Sequence, residues 1–254
     1  MKGWRSLDGC ETLAEGPPRG RALLCLSDIH GDLAALESVL DVVHGVNLCG
    51  IVAAGDHCLG GPQPFEVWQR LCTLGASMVR GPSDLALGTV RELDRAPHSA
   101  REEARLLTFL RTRAALGDIV CRRLAELPST LVVSLDDLRG VMVMHGSPAD
   151  EYRGIVDDPS LPEEVACVAE DVLVCGSTHR SFARAVPRAD GVEGEPLLVV
   201  NAGSVGMSPV RSADGRRTAH AVLLSADHHG ALRAWGRDIP VIEYDVAARA
   251  RRAG

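Results

Sequence analysis

Residues 21–43 read RALLCLSDIHGDLAALESVLDVV and contain the clearest strand–helix pattern of the chain. The first part, Arg21–Ser27, is short and apolar, which predicts a buried strand. Apolar residues then recur at positions 33, 36, 39, 40 and 43, on one face of a helix, and Asp32 is a candidate N-cap for that helix. The polar residues 28–32 are therefore predicted to lie between the carboxyl end of a strand and the start of a helix.

The same alternation continues along the chain. Gly50–Ala54 and Ala76–Val79 are predicted strands, and Pro64–Leu74 is a predicted helix. This order predicts parallel strands joined by right-handed crossovers. Residues 100–127 have helical periodicity and end at Pro128. Mainly strands are predicted after that point, at 130–135, 140–144, 171–175, 196–200, 219–225 and 231–235, with a hairpin turn at 227–230. We therefore predict a loose leader over residues 1–20 and one domain with two sheets over 21–254.

Composition excludes several classes of protein. The chain has 254 residues, 46% of them hydrophobic, and a net charge of −7, from 34 acidic and 27 basic residues. This composition is typical of a folded domain and argues against a general nucleic-acid binder. No apolar run has the length of a membrane helix, and residues 1–20 lack the apolar stretch of a secretory signal. None of the eight cysteines forms a CxxC pair, which disfavours a cysteine-rich zinc site. We expect a cytoplasmic protein with no membrane partner.

Polar, metal-competent residues follow five of the apolar segments. The polar clusters are Ser27–Asp32, Ala54–Cys58, Arg80–Asp84, Met144–Pro148 and Cys175–His179. Ligands of open α/β sheets bind beyond the carboxyl ends of the strands, so we expect these clusters to share one site. Carboxylate and imidazole donors without a thiolate suit Mn, Fe, Zn or Ni better than Ca or Mg. The sequence therefore predicts a divalent metal site.

These motifs resemble those of the calcineurin-like metallophosphoesterases, in particular their small bacterial phosphodiesterase branch. The family pattern is D-x-H, G-D, G-N-H-D/E, H and G-H-x-H. It is matched by Asp28–His30, Gly55–Asp56, an altered Gly81–Asp84, His145 and an altered Gly176–His179. Residues 60–64 (GGPQP) and 201–206 (NAGSVG) also resemble that branch, and the similarity runs from about residue 22 to 226. It implies a four-layer α/β/β/α sandwich with two mixed central sheets flanked by helices.

The resemblance also implies a set of metal ligands. The first metal of the family pair would be held by Asp28, His30, Asp56 and His179. The second would be held by Asp56, by His145 and by an Asn and a His whose positions carry Pro82 and Ser177 in this chain. The third-motif His that assists the leaving group is matched by Ser83. The resemblance therefore implies one firmly held metal and leaves the second doubtful.

Two functions are compatible with these motifs. In the first, a metal-activated hydroxide hydrolyses a small phosphate ester, a phosphodiester by analogy, with Asp56 and His145 as catalytic residues. His57 and Asp84 are then candidate substitute ligands, although His57 follows Asp56 in an extended segment and is expected to point away. In the second, the fold is a non-catalytic module that binds metal or phosphate. We favour the enzyme, because the first ligand set is complete and one metal can still polarise a phosphoryl oxygen. Arg80 and Arg180 are candidate phosphate ligands.

Overall fold

The computed structural model describes residues 3–7, 21–90, 97–136, 139–188, 195–226 and 231–243. These residues form two β-sheets with helices outside them. The strands are β1 (Arg5–Ser6), β2 (Ala22–Leu26), β3 (Leu48–Ala54), β4 (Ser77–Val79), β5 (Thr130–Ser134), β6 (Gly140–Met144), β7 (Val172–Cys175), β8 (Phe182–Val186), β9 (Leu197–Asn201), β10 (Thr218–Ala226) and β11 (Leu232–Pro240). The helices are α1 (Leu33–Val43), α2 (Pro64–Thr73), α3 (Pro82–Thr89), α4 (Ala100–Ala125) and α5 (Leu161–Glu164).

The first sheet contains the predicted strand–helix–strand units. Its order is β1-β11-β10-β2-β3-β4, and β2, β3 and β4 run parallel as predicted. The Asp32 side chain accepts a hydrogen bond from the Ala35 N–H at 2.9 Å, which caps the first turn of α1. The parallel strands therefore bring the loops after β2, β3 and β4 to the same edge of the sheet.

The second sheet has the order β5-β6-β7-β9-β8 and packs face to face on the first. Alternate residues of β2 point to opposite sides, as the pleat requires. Leu24 and Leu26 pack against α1 and α2, whereas Leu23 and Cys25 pack against strands of the second sheet. The far face of the second sheet is covered by the apolar residues of α5 and its flanking segments, Ile155, Leu161, Val165 and Val168. This arrangement confirms the four-layer sandwich with two mixed sheets.

Four elements were not predicted. Strand β8 (FARAV) has an arginine and mostly half-buried residues, so it shows no apolar run, and it lies at the edge of its sheet. Helices α3 and α5 are short and each has a proline at its start, where a missing N–H costs nothing. The fourth element, β1, lies in the segment predicted to be a loose leader. There Arg5–Ser6 pairs with β11 and Trp4 is buried, because the outer edge of β11 offers free backbone partners.

Strands β10 and β11 pair antiparallel over nine residue pairs, as predicted, and their turn at 227–230 lies outside the described residues. Helix α4 confirms the helical periodicity over 100–127, but Gly117 has φ 72° and divides it into two segments. Along the described parts of the chain, no helix has the length and apolarity needed to cross a bilayer.

Candidate metal centre

The loops at the ends of the strands have unusual backbone conformations. Within the described ranges, five residues other than glycine have positive φ, between 51° and 70°: Asp28, His30, Asp56, Ser177 and His179. Left-handed backbone is unfavourable for residues with a Cβ and is concentrated at functional sites. All five belong to motifs that the sequence analysis selected. The fold therefore holds these segments in strained conformations that turn their side chains toward one another.

The first group of donor atoms consists of Asp28, His30 and His179. Nε2 of His179 lies 3.1 Å from Oδ1 of Asp28, and Nε2 of His30 lies 3.7 Å from the same oxygen. The two Nε2 atoms are 3.3 Å apart. Apart from these ring nitrogens, the buried Oδ1 of Asp28 has no hydrogen-bond partner. Three convergent donors around a buried, otherwise unpartnered carboxylate oxygen have the composition of a divalent metal site.

The second group consists of Asp28, Asp56 and His145, whose donor atoms lie within 4.8 Å of one another. Nε2 of His145 is 3.9 Å from Oδ2 of Asp56. Both groups contain Asp28, and Asp56 lies beside His145. The structure thus brings together all five residues that the sequence analysis assigned as metal ligands.

Backbone carbonyls fix the orientation of two of the imidazoles. Nδ1 of His30 lies 2.8 Å from the Leu59 carbonyl oxygen, and Nδ1 of His145 lies 2.7 Å from that of Ala54. A carbonyl accepts only from a protonated Nδ1, so the lone pair of the neutral ring is on Nε2. This is the usual arrangement around metal-binding histidines. Both rings therefore present Nε2 to the site.

Each carboxylate has one oxygen held by hydrogen bonds and one oxygen turned to the site. Oδ2 of Asp28 accepts from the Ser27 hydroxyl at 2.6 Å and from the Ser177 N–H at 3.0 Å. Oδ1 of Asp56 accepts from the Ser83 N–H at 3.0 Å. These contacts leave Oδ1 of Asp28 and Oδ2 of Asp56 directed toward the imidazoles.

The electrostatics of the first group favour an ionised carboxylate. Burial raises the pKa of Asp28, but hydrogen bonds from His179 and Ser27 and the charge of His145 outweigh it, so the pKa is lowered overall. The hydrogen bond to Asp28 raises the pKa of His179 against the effect of burial. Asp28 is thus held as the anion, the form that binds a cation.

Two glycines allow the strand ends to approach closely. A Cβ on Gly176 would lie 1.9 Å from the Ser27 hydroxyl oxygen and 2.7 Å from Oδ2 of Asp28. A Cβ on Gly81 would lie 2.2 Å from Oδ1 of Asp56. All three contacts are far inside van der Waals distance, so any other residue at either position would displace a carboxylate. The pairing of Ser27 with Asp28 and the approach of these glycines to the carboxylates were not predicted, because they depend on which loops meet.

His57 and Asp84, the candidate substitute ligands, belong to neither donor group. Nε2 of the fully buried His57 lies 2.8 Å from the Val79 carbonyl oxygen. Asp84 accepts hydrogen bonds from the N–H groups of Asp56, His57 and Gly81 at 2.8–3.1 Å. Burial raises the pKa of Asp84, against these hydrogen bonds and the charge of His57. The structure therefore gives both side chains contacts that position the loops after β3 and β4.

The structure also shows the surroundings of Pro82, Ser83 and Ser177, the three positions that depart from the family pattern. Pro82 is the first residue of α3, and Ser83 has a buried hydroxyl without a hydrogen-bond partner. Ser177 approaches Asp28 through its backbone N–H. The side chain of Pro82 offers no donor atom. The contacts of α3 to Asp56 are made by the Ser83 N–H and by the carboxylate of Asp84.

The arginines proposed to contact phosphate have different surroundings. Arg80 donates from Nη1 to the Leu127 carbonyl at 3.0 Å, and its Nη2 lies 3.5 Å from a carboxylate oxygen of Glu151. Arg180 is exposed, and its N–H lies 3.3 Å from the Thr178 hydroxyl oxygen.

Cys58 is fully buried beside Trp68 and Cys121 in an apolar cluster. Burial raises its pKa well above the ordinary value, so the thiol stays protonated.

The site therefore contains two carboxylates and three imidazoles at one edge of a four-layer sandwich. They lie on the loops after β2 and β3 of the first sheet and after β6 and β7 of the second sheet. This fold and this donor set define a metal-dependent hydrolase. Residues 22–228 match the calcineurin-like phosphoesterase superfamily domain, and the chain belongs to that superfamily. Its members are hydrolases of phosphoric esters, and this identification confirms the resemblance seen in the motifs.

Two solved structures with TM-scores above 0.5 show the same fold, and a third matches less closely. A metallophosphoesterase from Sphaerobacter thermophilus is 23% identical, with a TM-score of 0.67 over 93% of this chain and 95% of that one. A structure assigned as a diadenosine tetraphosphatase is 17% identical, with a TM-score of 0.52 over 90% and 97%. The E. coli phosphoesterase Yfce is 20% identical, with a TM-score of 0.43 over 87% and 100%. No curated protein matches the sequence significantly.

Proposed function

We propose that this protein hydrolyses a phosphodiester with one divalent metal, Mn²⁺ or a metal of similar preference, bound by Asp28, His30, Asp56 and His179. The observation that carries the proposal is the first donor group. Its two imidazole nitrogens and one carboxylate oxygen lie 3.1–3.7 Å from one another, and that oxygen is otherwise unpartnered. Such a set of nitrogen and oxygen donors favours Mn, Fe, Zn or Ni.

The residues of the chain have distinct tasks in this reaction. When bound, the metal acidifies a water molecule and polarises the phosphoryl group. Asp28 and Asp56 supply negative charge through their two site-facing oxygens and keep the other oxygen on hydrogen-bond donors of the neighbouring loops. Nε2 of His145, beside Asp56, faces the same space and binds a phosphoryl oxygen of the substrate. Asp56 and His145 are therefore our candidate catalytic residues.

The second family metal position is altered in this proposal. Pro82 has no donor atom, and Ser177 and Ser83 replace the imidazoles of the family pattern. A serine hydroxyl does not act as an acid near neutral pH, and losing a positioned general acid costs about 10²–10⁴-fold in rate. We therefore expect slow turnover and a preference for esters whose leaving group needs no protonation.

The test combines metal content with hydrolysis. Purified protein is loaded with Mn²⁺, dialysed, and tested with bis(4-nitrophenyl) phosphate, alongside Asp56→Asn and the control Asp214→Asn, which changes an exposed ion pair with Arg216. We expect about one metal per chain and metal-dependent hydrolysis that only Asp56→Asn removes. Full metal occupancy and activity in Asp56→Asn would refute the ligand assignment.

A non-catalytic module is the second candidate, supported by the three altered positions on one side of the site. It predicts bound metal with no turnover of mono- or diesters, so the same experiment distinguishes the two.

For the cellular location we propose the cytoplasm. The described cysteines are free thiols, four of them buried, which is typical of a reducing compartment.

A further inference from the structure

A cavity of about 810 Å³ opens beside the metal centre, between the first half of α4 and the loop after β3. Its described lining includes Leu59, Ala86, Val90, Phe109 and Met207, which are all apolar, together with His30. A volume of this size is in the range of sites for small organic molecules. Apolar walls of this kind bind hydrocarbon or aromatic groups and offer little to a bare phosphate.

Contacts connect this cavity directly to the donor groups. His30 belongs to both, and its Nδ1 is bound to the carbonyl of Leu59. Met207 lines the cavity and its backbone accepts from the ring of His179. A Cβ on Gly60 would lie 2.8 Å from the Met207 methyl carbon, so only glycine at this position leaves the methionine in place. A phosphate bound at the metal centre therefore has the cavity within reach of its ester substituents.

Charged residues of α4 lie on the same lining. Arg101 and Arg105 are one helical turn apart and exposed, and among the described residues no ion pair is formed by either. Glu102 lies between them, and its carboxylate accepts from the His98 N–H at 2.9 Å. Two guanidinium groups against one carboxylate give this part of the lining a positive balance, which attracts an anionic ester.

We infer that this cavity binds a bulky apolar substituent of the substrate, so that the preferred substrate is an anionic phosphodiester with an aromatic or similarly large apolar group. This inference rests on the proposed function, because it concerns the same site. It gives the residues of α4 a role in specificity, whereas the strand-end loops hold the metal. Burying one aromatic ring in such a cavity is expected to improve binding by at least about tenfold.

The inference is tested with a substitution that fills the cavity. Ala104→Trp places an indole on an exposed position of the cavity wall. Ala114→Trp is the matched control, since Ala114 is exposed on the same helix and is absent from the lining. The substrates are bis(4-nitrophenyl) phosphate and methyl 4-nitrophenyl phosphate, which release the same 4-nitrophenolate and differ only in the second substituent. Calorimetric binding of 2-naphthylphosphonate and methylphosphonate to the Mn²⁺-loaded protein provides a readout without turnover.

We expect the unaltered protein and Ala114→Trp to favour the larger member of each pair by at least about tenfold. In Ala104→Trp this preference falls to less than about threefold, through KM and Kd, while the methyl compounds are unaffected. Equal affinity for both members of each pair in the unaltered protein would overturn the inference. So would a preference that Ala104→Trp leaves intact. A preference in binding without any hydrolysis would support the cavity assignment and contradict only the proposed enzyme.

Discussion

The two halves of the metal centre share one type of backbone and differ in their side chains. Around Asp28, each donor position carries a carboxylate or an imidazole, and the ring nitrogens converge within 3.1–3.7 Å. Around His145, Asp28 and Asp56 supply the other donors, while Pro82 and Ser177 stand where the family pattern has an Asn and a His. Yet Ser177 has φ 70°, close to the 59° of His179, and Gly81 still packs against Asp56. We therefore propose that the second half shares the scaffold of the first and differs from it in its side-chain donors.

The difference follows from what each part of the site does for the fold. The hydrogen bonds that hold the loops come from backbone N–H groups, such as those of Ser83 and Ser177. These bonds do not depend on the side chain at the same position, so the donors can be lost without loss of the fold.

The largest loss of metal affinity is expected from changes in the first donor group, Asp28, His30 and His179. His30→Ala removes one of the two imidazoles of the first donor group. Since loss of a partner that only supports a ligand costs 10–100-fold in metal affinity, loss of the ligand itself should exceed about 100-fold. Elemental analysis after dialysis measures the metal content. His44→Ala, an exposed change at the end of α1, should retain all of its metal, and the comparison fails if both variants do.

Replacing Gly176 or Gly81 is expected to lower metal affinity by a smaller factor, and the two losses should be similar. Gly176→Ala displaces Ser27 and Asp28, and Gly81→Ala displaces Asp56. We expect Mn²⁺ affinity to fall by about 10–100-fold in each. Gly140→Ala is the control, because its Cβ would meet nothing closer than 3.4 Å. Titration calorimetry measures the affinities, and an unchanged Gly81→Ala protein would show that the close contact of Gly81 with Asp56 is not needed for metal binding.

Restoring donors should convert the altered half into a second site. The double variant Pro82→Asn/Ser177→His supplies the amide and the imidazole that the family pattern has at these positions. Asparagine is tolerated at a helix start, and position 177 already has the backbone of its neighbour His179. We expect metal content to rise from about one to about two Mn²⁺ per chain. Ser177→Ala should stay at one, and a double variant that also stays at one contradicts the proposal of a preserved scaffold.

The smallest effect is a shift in thermal stability. A ligand at 100 times its Kd stabilises the folded state by about 2.7 kcal/mol, which corresponds to roughly 5–10 °C in a domain of this size. Mn²⁺ should therefore raise the Tm of the unaltered protein by that amount, and chelation should reverse it. His145→Ala should keep most of the shift, whereas His30→Ala should lose it. An equal loss in both variants would show that the two halves act as one.

Much of this architecture could be predicted from local patterns. Strands β2, β3 and β4 are short apolar runs, and α1 shows a clear apolar face with its cap at Asp32. The edge strand β8 could not be predicted, because only pairing with β9 gives its half-buried residues a reason to be extended. The same holds for β1, which exists because β11 offers an unpaired edge.

The candidate site divides in the same way. The candidate metal ligands could be chosen from the sequence alone, because ligand chemistry is a property of the side chain. The predicted strand order also placed Asp28, His30 and Asp56 at one edge of the sheet. The alternation along an extended segment already predicted that His57 points away from the site. The tertiary structure was needed to show that its Nε2 contacts the Val79 carbonyl and that Asp84 accepts from the Asp56 N–H. It also decided that an apolar cavity adjoins His30. These features arise where loops distant in sequence meet, and local sequence periodicity contains no information about such contacts.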